Sequence, residues 1–141
     1  MDEAIIKYYR NLLRTKFENA GIIEHPSLFV DTSSELNKVL LCGNTGDFMQ
    51  LFVNLDKDII TDIKYNCCCD PPANVAVEIL CILVKGKTVD EVKGITEQDF
   101  SNYLGTNSED LRKKARGLLE LLNLGINRYK VETRVNIEGA E

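Results

Sequence analysis

Apolar residues recur at helical spacing from the start of the chain. Ile5, Ile6, Tyr9, Leu12, Leu13, Phe17 and Ala20 fall on one stripe with Lys, Arg and Glu between them, which predicts a helix over residues 2–20 that Gly21 ends. Residues 22–34 hold His25-Pro26 and a Ser/Thr/Asp cluster and read as an irregular connector. The period then shortens. Val39, Leu40 and Leu41 form a first strand that leads into the turn-rich Cys42-Gly43-Asn44-Thr45-Gly46-Asp47. Phe48 to Leu55 reads as a second strand, Asp56-Lys57-Asp58 as a tight hairpin, and Ile59 to Asn66 as a third strand with Ile59, Thr61, Ile63 and Tyr65 on one face. Strands joined by such short turns pair antiparallel.

From Asp70 onward the pattern is helical. Asp70 suits an N-cap and Pro71 the first helical position, and the helix they open runs to about Lys85 and stops at Gly86. Val75, Val77, Ile79, Leu80, Ile82, Leu83 and Val84 make it apolar nearly all round, which predicts deep burial. Thr88 with Glu91, and Thr96 with Asp99, have capping-box spacing and open two short helices. A last long helix spans Ser108 to Leu124 and ends near Gly125. The expected architecture is α+β: a three-stranded antiparallel meander packed with an N-terminal helix and a C-terminal helical half. Residues 1–126 read as one domain, and residues 127–141 as a tail that is either mobile or an edge strand.

Composition narrows the function. The 141 residues are 44% hydrophobic and 28% charged, enough for a folded core. A net charge of −5 argues against nucleic acid, whose phosphates call for a basic face. The basic run Arg112, Lys113, Lys114, Arg116 reads first as a solvated helix face, with docking of an acidic partner as the alternative. No stretch is apolar enough to span a bilayer and the N-terminus has no signal-peptide layout, so a cytoplasmic location is expected.

In a reducing compartment, five cysteines point to metal ligands or reactive thiols before disulfides. Three of them, Cys67, Cys68 and Cys69, lie directly before Asp70-Pro71-Pro72, at the mouth of the buried helix. Unpaired backbone N–H groups there favour thiolates. If the segment is extended, Cys67 and Cys69 share a face and Cys68 takes the other. Cys42 sits at a strand end in a glycine-bearing loop, where a ligand role and a core role weigh about equally. Asp47, in the same segment, is either an oxygen ligand or a turn former. Cys81 lies well over ~10 Å along the helix from its start and reads as core. His25, the single histidine, leaves little room for a His-based triad. No P-loop, G-x-S-x-G or dinucleotide fingerprint is present.

The stretch GDFMQLFVNLDKDIITDIKYNCC, followed by an apolar helix ending VKGKTVDEV, resembles the NifU/IscU-type iron–sulfur cluster assembly scaffold family. The resemblance covers most of the chain, and its most specific piece is VKGKTVDEV at nearly the family distance behind the cysteines. It implies the same order of helix, three-stranded sheet and helices, and a scaffold that is not an enzyme. Such a protein takes sulfur from a cysteine desulfurase, builds an iron–sulfur cluster, [2Fe–2S] by expectation, and hands it to acceptor proteins; a homo-oligomer is left open. The family's three cysteine positions fall instead on Thr45, on Asp70 and near Glu109-Asp110, and YLGTNSE replaces the family's chaperone-binding stretch. The candidate ligands are therefore Cys42, Cys67, Cys68 and Cys69, with Asp47 as an exchangeable oxygen ligand and Asp110 a weaker one. The alternative is a static zinc- or iron-binding regulatory module on the same fold, since four thiolates also suit zinc.

Overall fold

In the computed structural model, residues 1–32 and 48–139 are described, with side chains to residue 133. Helix α1 (Glu3–Thr15) leads to strand β1 (Leu28–Asp31), then to β2 (Phe48–Asp56) and β3 (Ile59–Cys68). Four helices follow: α2 (Pro71–Val84), α3 (Val89–Lys93), α4 (Glu97–Leu104) and α5 (Glu109–Gly139). The strands form one antiparallel sheet in the order β1-β2-β3. The α+β architecture with a three-stranded antiparallel meander is the one the sequence predicts.

A strand forms where the sequence predicts a connector. Residues 28–31, read as connector, form β1 because Leu28 and Val30 alternate inward against Val53 and Leu51. Residues 39–41 lie outside the described residues. Past β1, Thr32 is fully buried; its Oγ accepts from Met49 N at 2.8 Å, fastening the strand end to β2.

Lys57 and Asp58 both take positive φ (50° and 66°), the two-residue turn whose twist suits a hairpin. A register shift between Asn54 and Leu55 then changes which face β3 buries. Ile59 and Thr61 are exposed, and Ile60 takes the inward place with Ile63 and Tyr65. Ile63, Tyr65 and Cys67 lie opposite Val53, Leu51 and Met49, so the buried column of the sheet runs up to the first of the three cysteines.

Helix α1 stops at Thr15, before Gly21, because Lys16 and Phe17 turn left-handed (φ 63° and 50°). The freed chain lies along β3: Ala20 bridges Tyr65, and Gly21 N donates to Tyr65 O at 2.8 Å. Helix α2 is buried on most of its circumference and forms the centre of the core. At its far end Gly86, at φ +86°, turns the chain so that Gly86 N donates to Ile60 O and Ile60 N donates to Lys87 O. Val89 N donates to Asp58 O at 2.9 Å, so the VKGKTV segment clips the end of α2 to the hairpin. Both short helices begin with the expected capping boxes.

Helix α5 runs on through Gly125 as one 31-residue helix, in place of a stop near Gly125 followed by a tail that is either mobile or an edge strand. Gly125 is a notch rather than a cap. A Cβ on it would lie 2.6 Å from Val30 Cγ1 and 3.1 Å from Leu28 Cδ1, so its missing side chain lets α5 lie against β1. Gly125→Ala gains up to ~1 kcal/mol of helix propensity but forces overpacking that costs about 1–3 kcal/mol. The expected outcome is a lower melting temperature; an unchanged or raised one would show that α5 is not pressed onto β1.

Candidate functional site

The three cysteines occupy the junction where β3 ends and α2 begins. Cys67 and Cys68 are the last residues of β3, and Cys69 and Asp70 bridge to Pro71. Strand alternation separates the sulfurs. Cys67, across from Met49, and Cys69 are half-buried and pack against the core, whereas Cys68, across from Phe48, is exposed. Cys69 Sγ lies 3.1 Å from Phe48 O and donates to it. Cys67 and Cys69 thus both pack on the core while Cys68 does not.

Asp70 is the N-cap of α2. Its Oδ1 accepts from Ala73 N at 3.0 Å. Its Oδ2 is paired with Lys114 Nζ of α5 at 3.3 Å. The cysteines thus directly precede a helix start whose N-cap carboxylate is held by a nearly buried ammonium.

The basic run on α5 is not a free solvated face. Lys114 is only 8% exposed, and Arg112 and Arg116 both grip Glu97, at 3.2 and 2.9 Å. That grip, Arg116 foremost, holds the Glu97 carboxyl below its usual range. Lys113 alone of the run is exposed without such a pairing among the described residues.

Other sequence candidates lie apart or out of view. Cys42 and Asp47 fall outside the described residues. Cys81 is fully buried in α2, and burial pushes its thiol well above the ordinary value of 9.0. His25 is exposed in the segment before β1, and Asp110 is exposed in the first turn of α5. Among the described residues, no three His, Cys, Asp or Glu side chains converge as a metal site.

Sequence reasoning missed Glu78. Its carboxyl is 1% exposed in the middle of α2. Oε1 accepts from Tyr65 OH at 2.9 Å and from Asn19 N at 3.3 Å, and Oε2 accepts from Asn19 Nδ2 at 2.7 Å. Asn74 Nδ2 donates to the Tyr65 hydroxyl at 3.0 Å. The network locks the segment after α1, strand β3 and helix α2 together, two residues from Cys67 on the same face. A lone acid inside VAVEILCILV was its only sequence signal, because a buried acid must find donors.

With the junction described, comparison with known proteins places the chain. A family model described as the NifU-like N-terminal domain matches residues 7–135. The chain belongs to the NifU-like N-terminal domain family. A crystal structure of a nitrogen-fixing NifU-like protein (N-terminal) from Brucella abortus aligns with a TM-score of 0.61 at 12% identity, over 92% of this chain and 93% of that one. The crystal structure of a hypothetical protein aligns at 0.55 and 17% identity, over 86% and 98%. At such identities the likeness is one of fold. A chain from Fervidobacterium islandicum AW-1, described as an iron–sulfur cluster assembly scaffold for the SUF system, aligns at 0.49 and 20% identity over 94% and 82%, a score too low to bear on fold or function. No curated protein matches the sequence. Among the described residues, no helix of this NifU-like domain is long and apolar enough to cross a membrane.

The buried network makes a pH prediction. Burial first, and Glu78 second, raise the Tyr65 hydroxyl far above its ordinary value of 10.0. Above that pH the unfolded chain gives up the tyrosine proton and the folded chain keeps it, so the unfolded state binds fewer protons and stability falls as pH rises. Cys81 adds to the same decline from its ordinary 9.0 upward. Tyr65→Phe should cost about 1–3 kcal/mol at neutral pH by stranding Glu78, yet flatten the alkaline decline. Urea titrations at neutral and alkaline pH check this; an equally steep decline in the variant would contradict it.

Proposed function

We propose that the protein is an iron–sulfur cluster assembly scaffold and that its cargo is held by sulfur at the β3–α2 junction. The observation that carries this reading is three adjacent cysteines at a helix mouth in a chain that matches the NifU-like N-terminal domain over residues 7–135. Iron–sulfur clusters are held by cysteine thiolates. Cys67 and Cys69, both half-buried against the core, serve one cargo, and Cys68 is open to a second contact. Cys42 completes the sulfur set, and Asp47 adds an oxygen that keeps the cargo exchangeable.

The protein works by binding and release and is not itself an enzyme. It accepts sulfur from a cysteine desulfurase, assembles a cluster with iron, [2Fe–2S] by preference, and passes it to acceptor proteins in the cytoplasm. Asp70 and Lys114 fasten the helix start directly after the cysteines.

Anaerobic reconstitution with ferric iron and sulfide should give sulfur-to-iron charge-transfer absorption in the visible. Cys67→Ser with Cys69→Ser should abolish it, and Cys81→Ala should leave it intact. Absence of the bands, or bands that survive the double substitution, would overturn the scaffold reading. Stoichiometric zinc in freshly purified protein that resists exchange for iron would favour a static metal-binding module instead.

A further inference from the structure

The solvent side of α1 carries a ridge of cations that the fold does not use. Ile5 and Leu12 turn the opposite side of the helix into the core. Lys7, Arg10 and Arg14 recur at three- and four-residue spacing, which aligns them along one side, and all three are exposed. Elsewhere Arg112 and Arg116 hold Glu97, and Lys130 holds Asp90. Among the described residues, no carboxylate comes within ion-pair distance of Lys7, Arg10 or Arg14. Glu3 is the one acid within α1. A chain of net charge −5 thus turns a locally basic face outward.

The ridge borders a hollow of about 300 Å³ between α1 and the C-terminal end of α4. Lys7, Asn11 and Arg14 supply its polar lining, and Ala4, Tyr8 and Leu104 its apolar lining. Those three apolar residues are half-buried, and Tyr103 meets the Tyr8 ring edge-on with centroids 6.3 Å apart. On the other flank of the ridge, Leu13 is 54% exposed. An apolar hollow with a cationic rim selects a ligand that is apolar at its centre and anionic around it. An acidic peptide meets that requirement better than an anionic bilayer does. The hollow is concave, and a chain of net charge −5 is repelled as a whole by a negative membrane. A peptide laid along α1 feels mainly the ridge, because charges beyond a Debye length of ~8 Å are screened.

We propose that α1 and the end of α4 form a docking face for an acidic segment of a partner protein. The segment seats an apolar side chain between Tyr8 and Leu104 and pairs its carboxylates with Lys7, Arg10 and Arg14. The face uses none of the cysteines, so it stands or falls apart from the cargo reading.

The probe is a fluorescein-labelled synthetic peptide of about four helical turns, with glutamates along one side around a single central phenylalanine. Titrated with the full chain at low ionic strength, its anisotropy should rise to saturation. Amide resonances of the isotope-labelled protein should shift only in α1 and at the end of α4. A peptide with serine in place of the phenylalanine should bind about tenfold more weakly. Arg10→Glu with Arg14→Glu should also weaken binding about tenfold. Lys57→Glu with Lys113→Glu, the same charge change on other elements, should leave it within about twofold. All four positions are exposed, and the resonance map and the serine peptide need no variant of the protein. No binding, shifts elsewhere, equal losses in the two charge-reversed proteins, or indifference to the phenylalanine would overturn the proposal. Pelleting with phosphatidylserine vesicles that Arg10→Glu with Arg14→Glu abolishes, in a protein that ignores the peptide, would overturn it in favour of a lipid surface. Self-association lost in that same variant would overturn it in favour of a second copy of the chain.

Discussion

Helix α2 is a segment that water will not accept on most of its circumference, and the fold is arranged around burying it. Ten of its fourteen residues are buried. The sheet covers one side and α5 another, with α5 seated against β1 by the notch at Gly125. The ends of a helix so enclosed cannot fray into solvent, and each is fastened by its own device. Asp70 and Lys114 hold the start, and Gly86 with the clip to Ile60 holds the end. The cysteines inherit their position from this constraint, because they lie in the last residues of chain before the helix must begin.

The same constraint explains Glu78. A buried acid in the most enclosed element is tolerable only if every lone pair facing the protein finds a donor. Tyr65 and Asn19 provide them, and in doing so bind the chain after α1 to the edge of β3. The network stiffens the strand just before Cys67. The junction thus has a hydrogen-bonded strand on one side and a capped helix on the other.

Much of this was legible in the sequence. The helical stripe of α1, the hairpin at Lys57-Asp58, the Asp70-Pro71 start, both capping boxes and the core placement of Cys81 all follow from local chemistry, and the structure bears them out. The departures share a cause, which is contact between distant segments. Strand β1 is four residues long, too short to declare a period, and forms because Leu28 and Val30 meet Val53 and Leu51. Gly125 looks like a helix end until β1 is known to lie against it. Lys114 looks solvated until α5 is packed on α2, and the bulge that exchanges Ile60 for Ile59 and Thr61 appears only in the pairing with β2. VKGKTVDEV, the most specific part of the family resemblance, proves to be a structural clip at the far end of α2 from the cysteines. The family was therefore readable from fold-keeping residues, while the ligand set was not.

The central claim is that the β3–α2 junction is where the metal cargo sits, and locating iron directly tests it best. Crystals of the anaerobically reconstituted protein, measured on both sides of the iron absorption edge, would give the iron positions from anomalous scattering. The account predicts iron at the mouth of α2, within bonding distance of Cys67 Sγ or Cys69 Sγ. Iron bound away from the junction, or bound there by carboxylates with both sulfurs free, would contradict it.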